Sequence, residues 1–304
     1  EMSVSDEILK RSADGYRRIR NTAKFLLGNL AGFDPSQHLL EPEKCLLLDQ
    51  WAMAKTRQLH ERITDAYNQY DFARVVSSLQ NFCTQEMGSL YLDVTKDRLY
   101  TMQVDSHGRR SAQTAMYAIV HVLVRALAPI TSFTAEEIWQ QIPGEKTQSV
   151  FFASNAELEK YLPEKGQYLQ ADNEMMQKLL AMREAVSKVL EPMRSNGELG
   201  AALQAEVKVY ANEVDFSAYP NLEQELRFLF ITSELTILPL ASADTKAVSV
   251  DASPFKVLAK VSSHQKCVRC WHYVTSVGQD SHDPELCERC ISNVNGAGEV
   301  RRYF

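Results

Sequence analysis

Four cysteines near the end of the chain, Cys267, Cys270, Cys287 and Cys290, read C-x2-C, sixteen residues, C-x2-C. This is a spacing expected of a four-thiolate zinc site. Each Cys-x-x-Cys turn presents two sulfurs to one tetrahedral ion, and the second pair completes the shell. A closed shell of four sulfurs leaves no position for water or substrate, so the one zinc expected here is structural and not catalytic. The alternative is a pair of disulfides or free thiols. Nothing upstream reads as a secretion signal, which favours a reducing, cytoplasmic compartment where thiols stay available to metal. The metal also decides whether this end folds. A segment of about 40 residues with few large apolar side chains buries too little surface to fold alone. Zinc supplies on the order of 10–16 kcal/mol in comparable small sites.

The remainder is ordinary by composition. A length of 304 residues fits roughly two to three domains, and 45% hydrophobic with 24% charged residues matches a soluble globular protein. No apolar run is long enough to span a bilayer. The chain starts at Glu1 and not at a methionine, so it is expected to be a piece of something larger. Cys45 and Cys83 fall in apolar helical patterns and are expected as buried core thiols. The net charge of −6 argues by itself against a nucleic-acid binder. Its distribution reverses that. Residues 1–24 and 256–304 each carry a net +2, which leaves −10 on the middle of the chain. An acidic body with basic ends still holds a polyanion locally, because screening limits each charge to about 8–10 Å in physiological salt.

The first half reads as helical. Ile8, Leu9, Tyr16, Ile19, Ala23, Leu26, Leu27 and Leu30 form one stripe at helical spacing. Away from it Lys10, Arg17 and Lys24 recur every seven residues, with Arg11 and Arg18 beside them. Most charged helix faces are simply solvated. Here six basic residues between Lys10 and Lys24 oppose only Asp14, so a phosphate-facing surface is an equal reading. Gly32, Pro35 and Pro42 mark a loop, and helices are expected near 45–69, 71–92 and 108–128. Thr134 and Glu137 form a capping box for a short helix through Trp139, closed by Pro143-Gly144. This composition is that of an antiparallel helix bundle. Past about residue 150 the period changes. A helix fits 172–194 with Met176, Leu179, Leu180, Val186, Val189 and Leu190 buried. Leu203, Ala205, Val207 and Val209 alternate with polar residues as a half-buried strand. A short helix at 222–231, apolar runs at 234–240 and 255–261, and a loop at 241–254 complete a small α/β unit. The expected fold is thus mainly α: a helix bundle, a small α/β unit and a C-terminal four-cysteine zinc ribbon.

No nucleotide-binding glycine loop, zinc-protease motif or nucleophile elbow is present in the sequence, and no catalytic residue is assigned. His60 and His121 lie in helical patterns and read as structural. Beside the cysteines, Lys266, Arg269, His272 and Arg289 would offset the −2 charge of a four-thiolate zinc, and the same residues could reach a nucleic-acid backbone. Trp271 and Tyr273 add aromatic faces of the kind single-stranded bases stack on. A Trp271 packed inside the ribbon is the competing reading.

Specific strings then carry a resemblance. Ser5-Asp-Glu-Ile-Leu-Lys-Arg through Tyr16-Arg-Arg-Ile-Arg-Asn-Thr resembles the segment after the catalytic core of bacterial isoleucyl-tRNA synthetases. Leu90-Tyr91-Leu92-Asp93, Lys96-Asp97-Arg98-Leu99-Tyr100, Arg110-Ser-Ala-Gln-Thr, and Ala128-Pro129-Ile130 leading to Glu136-Glu137-Ile138-Trp139 resemble that family's helical anticodon-binding domain. Cys267-Val-Arg-Cys-Trp-His-Tyr with Leu286-Cys-Glu-Arg-Cys resembles its zinc module. The resemblance implies an anticodon-binding domain at 1–150, a junction domain at 151–262 and a zinc module at 263–304. It further implies a ligase that attaches isoleucine to its tRNA with ATP. ATP would be used only by a catalytic domain absent from this chain, so the piece alone is expected to be inactive. The partner implied is isoleucine-accepting tRNA; the charge and aromatic patterns above make Lys10, Arg17, Arg18, Lys24, Arg269, Trp271 and Arg289 the residues expected to hold it, with no membrane and no obligate protein partner expected: a monomer. Met2-Ser3-Val4-Ser5 mimics the family's Lys-Met-Ser-Lys-Ser loop, but Glu1 and Val4 occupy the lysine positions, and the match reads as coincidence. Where the family more often has Ser and Glu, this chain has Ala202 and Gln204.

Two other readings stand beside this one. A DNA-repair glycosylase ends in a related zinc module but needs an N-terminal proline followed by an acid, which Glu1-Met2-Ser3 does not supply. A zinc-stapled helical scaffold for protein interaction would bind no nucleic acid.

Overall fold

A computed structural model describes residues 4–164, 170–212, 214–251 and 253–304; Met2 and Ser3 of the loop mimic lie outside them. The chain divides into two compact units. One comprises Glu1–Leu99 with Arg109–Leu169, the other Tyr100–Gly108 with Gln170–Phe304.

The first unit is an antiparallel helix bundle. Helix α1 (Asp6–Asn29) starts where Ser5 Oγ accepts the Ile8 N–H at 3.3 Å. Its apolar stripe is buried only in part. Ile19, Ala23 and Leu26 are covered, whereas Ile8, Leu9 and Tyr16 are 45%, 58% and 39% exposed. The helix first meets its neighbour at Gly15, against which the Gln80 side chain rests so closely that a Cβ would fall 2.1 Å from Gln80 Nε2; the turns before it pack on little. A short α2 (Pro35–His38), capped by Asp34, occupies the expected loop. Helices α3 (Leu47–Asn68) and α4 (Phe72–Asn81) follow. A π-helical stretch (Phe82–Tyr91) then runs directly into α5 (Leu92–Thr101), where the sequence suggested an end near residue 92. Helix α6 (His107–Leu127) is buried along most of its length.

The short helix α7 (Ser132–Gln141) begins two residues before the expected capping box. Thr134 and Glu137 do not cap it. The Thr134 hydroxyl meets the Tyr16 hydroxyl at 2.8 Å, and the Glu137 carboxylate takes a bidentate pair from Arg20 at 2.8 and 2.9 Å. Those side chains join α1 to α7 instead. At Gly144 the chain adopts φ +90° and a Cβ would lie 2.4 Å from Pro35 Cγ, so both conformation and space require glycine.

At the bundle's centre Asp49 and Arg98, both 0% exposed, pair through two hydrogen bonds of 2.7 and 2.8 Å. Tyr91 Oη donates to Asp49 at 2.8 Å and Ser111 donates to it as well. A buried carboxylate is tolerated because its lone pairs are all taken up. Cys45 and Cys83 are buried as expected, and burial pushes both thiols up to about 12, which makes them inert.

In the second unit α8 (Gln170–Ser195) precedes β1 (Ala205–Ala211), α9 (Leu222–Phe230), β2 (Glu234–Pro239), β3 (Val248–Ser249) and β4 (Lys256–Val261). The sheet order is β2-β1-β4-β3. Strand β1 pairs parallel with β2, Val207 opposite Leu235, and antiparallel with β4, Val207 opposite Ala259. As the central strand, β1 is buried at every position but Lys208, not half-buried. Its polar Glu206 is buried because Lys260 (2.6 Å) and Ser262 (2.7 Å) satisfy the carboxylate. On α8 the buried face includes Met175, Met182 and Ala185 besides the expected Met176, Leu179, Val186 and Leu190, while Leu180 and Val189 are only half-buried. The loop expected at 241–254 contains a 3-10 turn at Leu240–Ser242 and the edge strand β3. At the departure from the family pattern, Gln204 Oε1 accepts the Gly200 N–H at 3.1 Å. The last element is α10 (Glu288–Asn295).

Candidate metal centre and nucleic-acid surface

The zinc motif is built from one turn and one helix start. Lys266 and Tyr273 pair as an isolated antiparallel bridge. Between them Cys267 N–H donates to His272 O and Trp271 N–H to Cys267 O, both at 2.9 Å. The reversal needs a left-handed residue, and Trp271 supplies it at φ +67°. The second pair sits on α10: Cys287 is its N-cap and Cys290 lies in its first turn. All four sulfurs come within 4.8 Å of one another and all four residues are buried. Cys270 and Cys287 Sγ are 3.6 Å apart. Sulfurs around one zinc at ~2.3 Å stand ~3.8 Å from each other, whereas a disulfide needs ~2.05 Å. The geometry suits a tetrahedral metal and not a disulfide. The remaining core of the module is Val277, with Val274 and Leu286 packed against it. Hydrogen bonds from Cys270 and then Cys290 hold the Cys287 thiol down, while those to Cys270 and Cys287 push Cys290 well up. Thiolates this close repel one another, and a bound cation would offset that repulsion.

The expected cations near the metal are placed unequally. Arg269 Nη1 donates to Thr101 O at 2.6 Å and lies 3.9 Å from Cys290 Sγ. Arg289 pairs with Glu299 at 2.9 Å and donates to Thr101 Oγ1 at 3.3 Å. Both side chains thus direct donors inward, tying the module to Thr101 at the end of α5. His272 is 4% exposed and its ring meets Phe228 edge-on at 5.6 Å. Trp271 is 58% exposed, so it does not pack inside the ribbon. The Lys266 ammonium lies 5.1 Å from its ring centroid, an exposed aromatic face with a cation upon it.

Lys10, Arg17, Arg18 and Lys24 belong to the other unit. All four are exposed on α1. Arg17 carries an ion pair with Asp14 at 2.7 Å, which screens part of its charge. Arg289 also lies against Phe228, together with two cations that the sequence did not single out, Arg227 and Arg301. The dibasic Arg301-Arg302 was visible in the sequence, but α9 read only as a short helix, and nothing in its pattern placed a ring among guanidiniums.

The family model for the anticodon-binding domain of tRNA ligase matches residues 49–209, more than half of the chain. The chain belongs to this anticodon-binding family. A second match, to the zinc finger found in FPG and IleRS, covers residues 265–293 and so contains all four cysteines. The chain is similar over its whole length to curated relatives named isoleucine–tRNA ligase. That of Xanthomonas campestris pv. campestris is 52% identical over 304 residues, 100% of this chain and 31% of the relative. Those of Xanthomonas oryzae pv. oryzae and Stenotrophomonas maltophilia are 52% and 51% identical over the same shares. The chain therefore spans about a third of the length of the relatives it matches. Together the zinc-finger match and the sulfur geometry support a structural zinc. Among the described residues, no helix is long and apolar enough to cross a membrane.

Proposed function

We infer that this chain is the tRNA-binding region of an isoleucine–tRNA ligase, holding the anticodon stem-loop while a catalytic domain outside it uses ATP to activate isoleucine. The observation that carries this is the 52% identity spanning the entire chain, together with an anticodon-binding family match. In this reading residues 1–150 form the anticodon-binding domain, 151–262 the junction and 263–304 the zinc module, and the protein works as a cytoplasmic monomer. Zinc contributes no chemistry to the transfer. Held by Cys267, Cys270, Cys287 and Cys290, it fixes the turn that presents Trp271. Lys10, Arg17, Arg18 and Lys24 contact phosphates, Trp271 stacks on an unpaired base, and Arg269 and Arg289 brace the module beneath it.

The test is binding of isoleucine-accepting tRNA to the zinc-loaded chain across a salt series. Phosphate contacts predict a steep negative slope of log affinity against log salt. Trp271→Ala is expected to keep its zinc and weaken binding roughly ten- to a hundred-fold, the ~1–3 kcal/mol typical of base stacking. Absence of tRNA binding by zinc-loaded protein near physiological salt would sink this reading and favour the protein-interaction scaffold.

A further inference from the structure

The cations around Phe228 are more than the zinc module needs. Phe228 is 6% exposed; Arg301 Cζ lies 3.4 Å, Arg227 Cζ 4.8 Å and Arg289 Cζ 5.1 Å from its ring centroid. Stacked guanidiniums are both stabilised and fixed in direction. Beside them opens a cavity of about 400 Å³ whose lining also includes Arg302, an exposed residue. Four arginines there face two carboxylates, Glu225 and Glu299.

Both carboxylates are occupied. Glu299 bridges Arg289 at 2.9 Å and Arg301 at 3.0 Å. Glu225 accepts the backbone N–H groups of Arg302, Tyr303 and Phe304 at 2.9, 3.0 and 3.0 Å. Through that grip the tail is laid on α9, and Arg302 is carried to the cavity whatever its own side chain does. Arg289 and Arg301 both give donors to Glu299 and Arg301 also donates to Phe304 O at 3.3 Å, yet the wall still counts four arginines against two carboxylates, with Arg302 exposed at its rim. That arrangement suits a tetrahedral oxyanion, since the guanidinium fork matches phosphate geometry and little side-chain entropy remains to be lost. A volume within the ~300–1,000 Å³ range of ligand sites accommodates a phosphate with its attached sugar.

We propose that this cavity, between α9 and the tail residues 299–302, receives a backbone phosphodiester of the bound polynucleotide, with Arg302 closing on it from the rim. The proposal rests on the tRNA reading above and adds a contact to it at a place remote in sequence from α1. The test is fluorescence anisotropy of isoleucine-accepting tRNA with the zinc-loaded chain, comparing wild type, Arg302→Gln and Arg302→Lys over a salt series. Neither variant touches the backbone N–H that Glu225 holds, so both are expected to fold and retain zinc. Losing one phosphate contact should reduce the magnitude of the salt slope by about one in Arg302→Gln and weaken binding several-fold at fixed salt; Arg302→Lys should keep the slope. A wild-type slope in Arg302→Gln overturns the inference and leaves the tRNA reading standing. An equal loss in Arg302→Lys assigns the effect to shape and overturns the phosphate contact. If wild type binds no tRNA, the reading fails and the inference with it. Inorganic phosphate is the second probe: tight binding that leaves tRNA affinity unchanged would make this a free-anion cavity and overturn the assignment to a polynucleotide.

Discussion

His121 is 2% exposed, stacked on Tyr161 at 4.8 Å and meeting Tyr117 and Trp139 edge-on at 4.4 and 5.6 Å. Its Nδ1 lies 2.8 Å from Arg125 Nη1. Burial first, and then the charge of Arg125, pushes its pKa down from 6.5 to about 3. The ring is neutral in the folded chain, and Nδ1 accepts from the guanidinium. The unfolded chain gains a proton near pH 6.5 that the folded chain refuses until about 3, so within that window the unfolded state binds more protons. Stability from this group is full above pH 6.5 and is lost as pH falls, by up to about 1.4 kcal/mol per pH unit. Wild type is therefore expected to lose more of its urea midpoint between pH 7 and pH 5 than His121→Gln, followed by fluorescence of the neighbouring Trp139. Superimposable pH profiles would refute this. The sequence placed His121 correctly as structural, since it lies on the apolar face of a helix. The depth of its burial depended on Tyr117, Trp139 and Tyr161 converging, which no local pattern encodes.

At the scale of elements, α1 carries its two faces unequally. The basic face is exposed throughout, and the apolar face is buried only beyond Gly15. If the basic face meets phosphates, replacing Lys10, Arg17 and Lys24 together by Gln should weaken tRNA binding and flatten the salt slope by up to about three. The loss should fall short of three, because Arg17 already shares its charge with Asp14 at 2.7 Å. Thermal stability should barely change, since none of the three is buried. An unaltered slope would leave them as a solvated face. Helix and strand positions were legible because burial imprints period on long amphipathic segments. Two local signals misled. The Thr134 and Glu137 pair has capping-box spacing, yet its side chains serve Tyr16 and Arg20 across a tertiary contact. Strand β1 alternates in sequence, yet it is central and covered, with Glu206 neutralised by partners more than fifty residues away. The recognisable string around Arg98 gave no hint that its guanidinium is buried on Asp49, and removing either partner there would leave a buried charge at a cost of about 3–5 kcal/mol.

Across the whole molecule, the two compact units are held by different means. The bundle has a broad apolar interior with Trp51, Trp139, Leu59 and Met87 buried. The zinc module has only four cysteines, Val277 and two flanking residues. Four-cysteine spacing was fully legible in the sequence because metal geometry dictates it directly. What the module is tied to was not, because Arg269 and Arg289 reach Thr101 across 168 and 188 residues, and Glu225 holds the tail across 77 to 79. These ties determine how metal loss should spread. One zinc per chain is expected by elemental analysis of protein purified without added metal. Cys287→Ser, or chelation, should release it, since three sulfurs leave the shell open. Residues 264–304 should then unfold, because zinc contributes on the order of 10 kcal/mol that so small a core cannot replace. Arg269 and Arg289 would lose their anchorage and α9 its tail, so the remainder of the second unit should loosen as well. The bundle's own apolar interior contains neither the metal nor its ligands: Trp51 and Trp139 should report the same melting temperature with and without metal, while the Trp271 signal changes. A melting temperature of the bundle that falls in step with zinc loss would show instead that the chain unfolds as a single cooperative body.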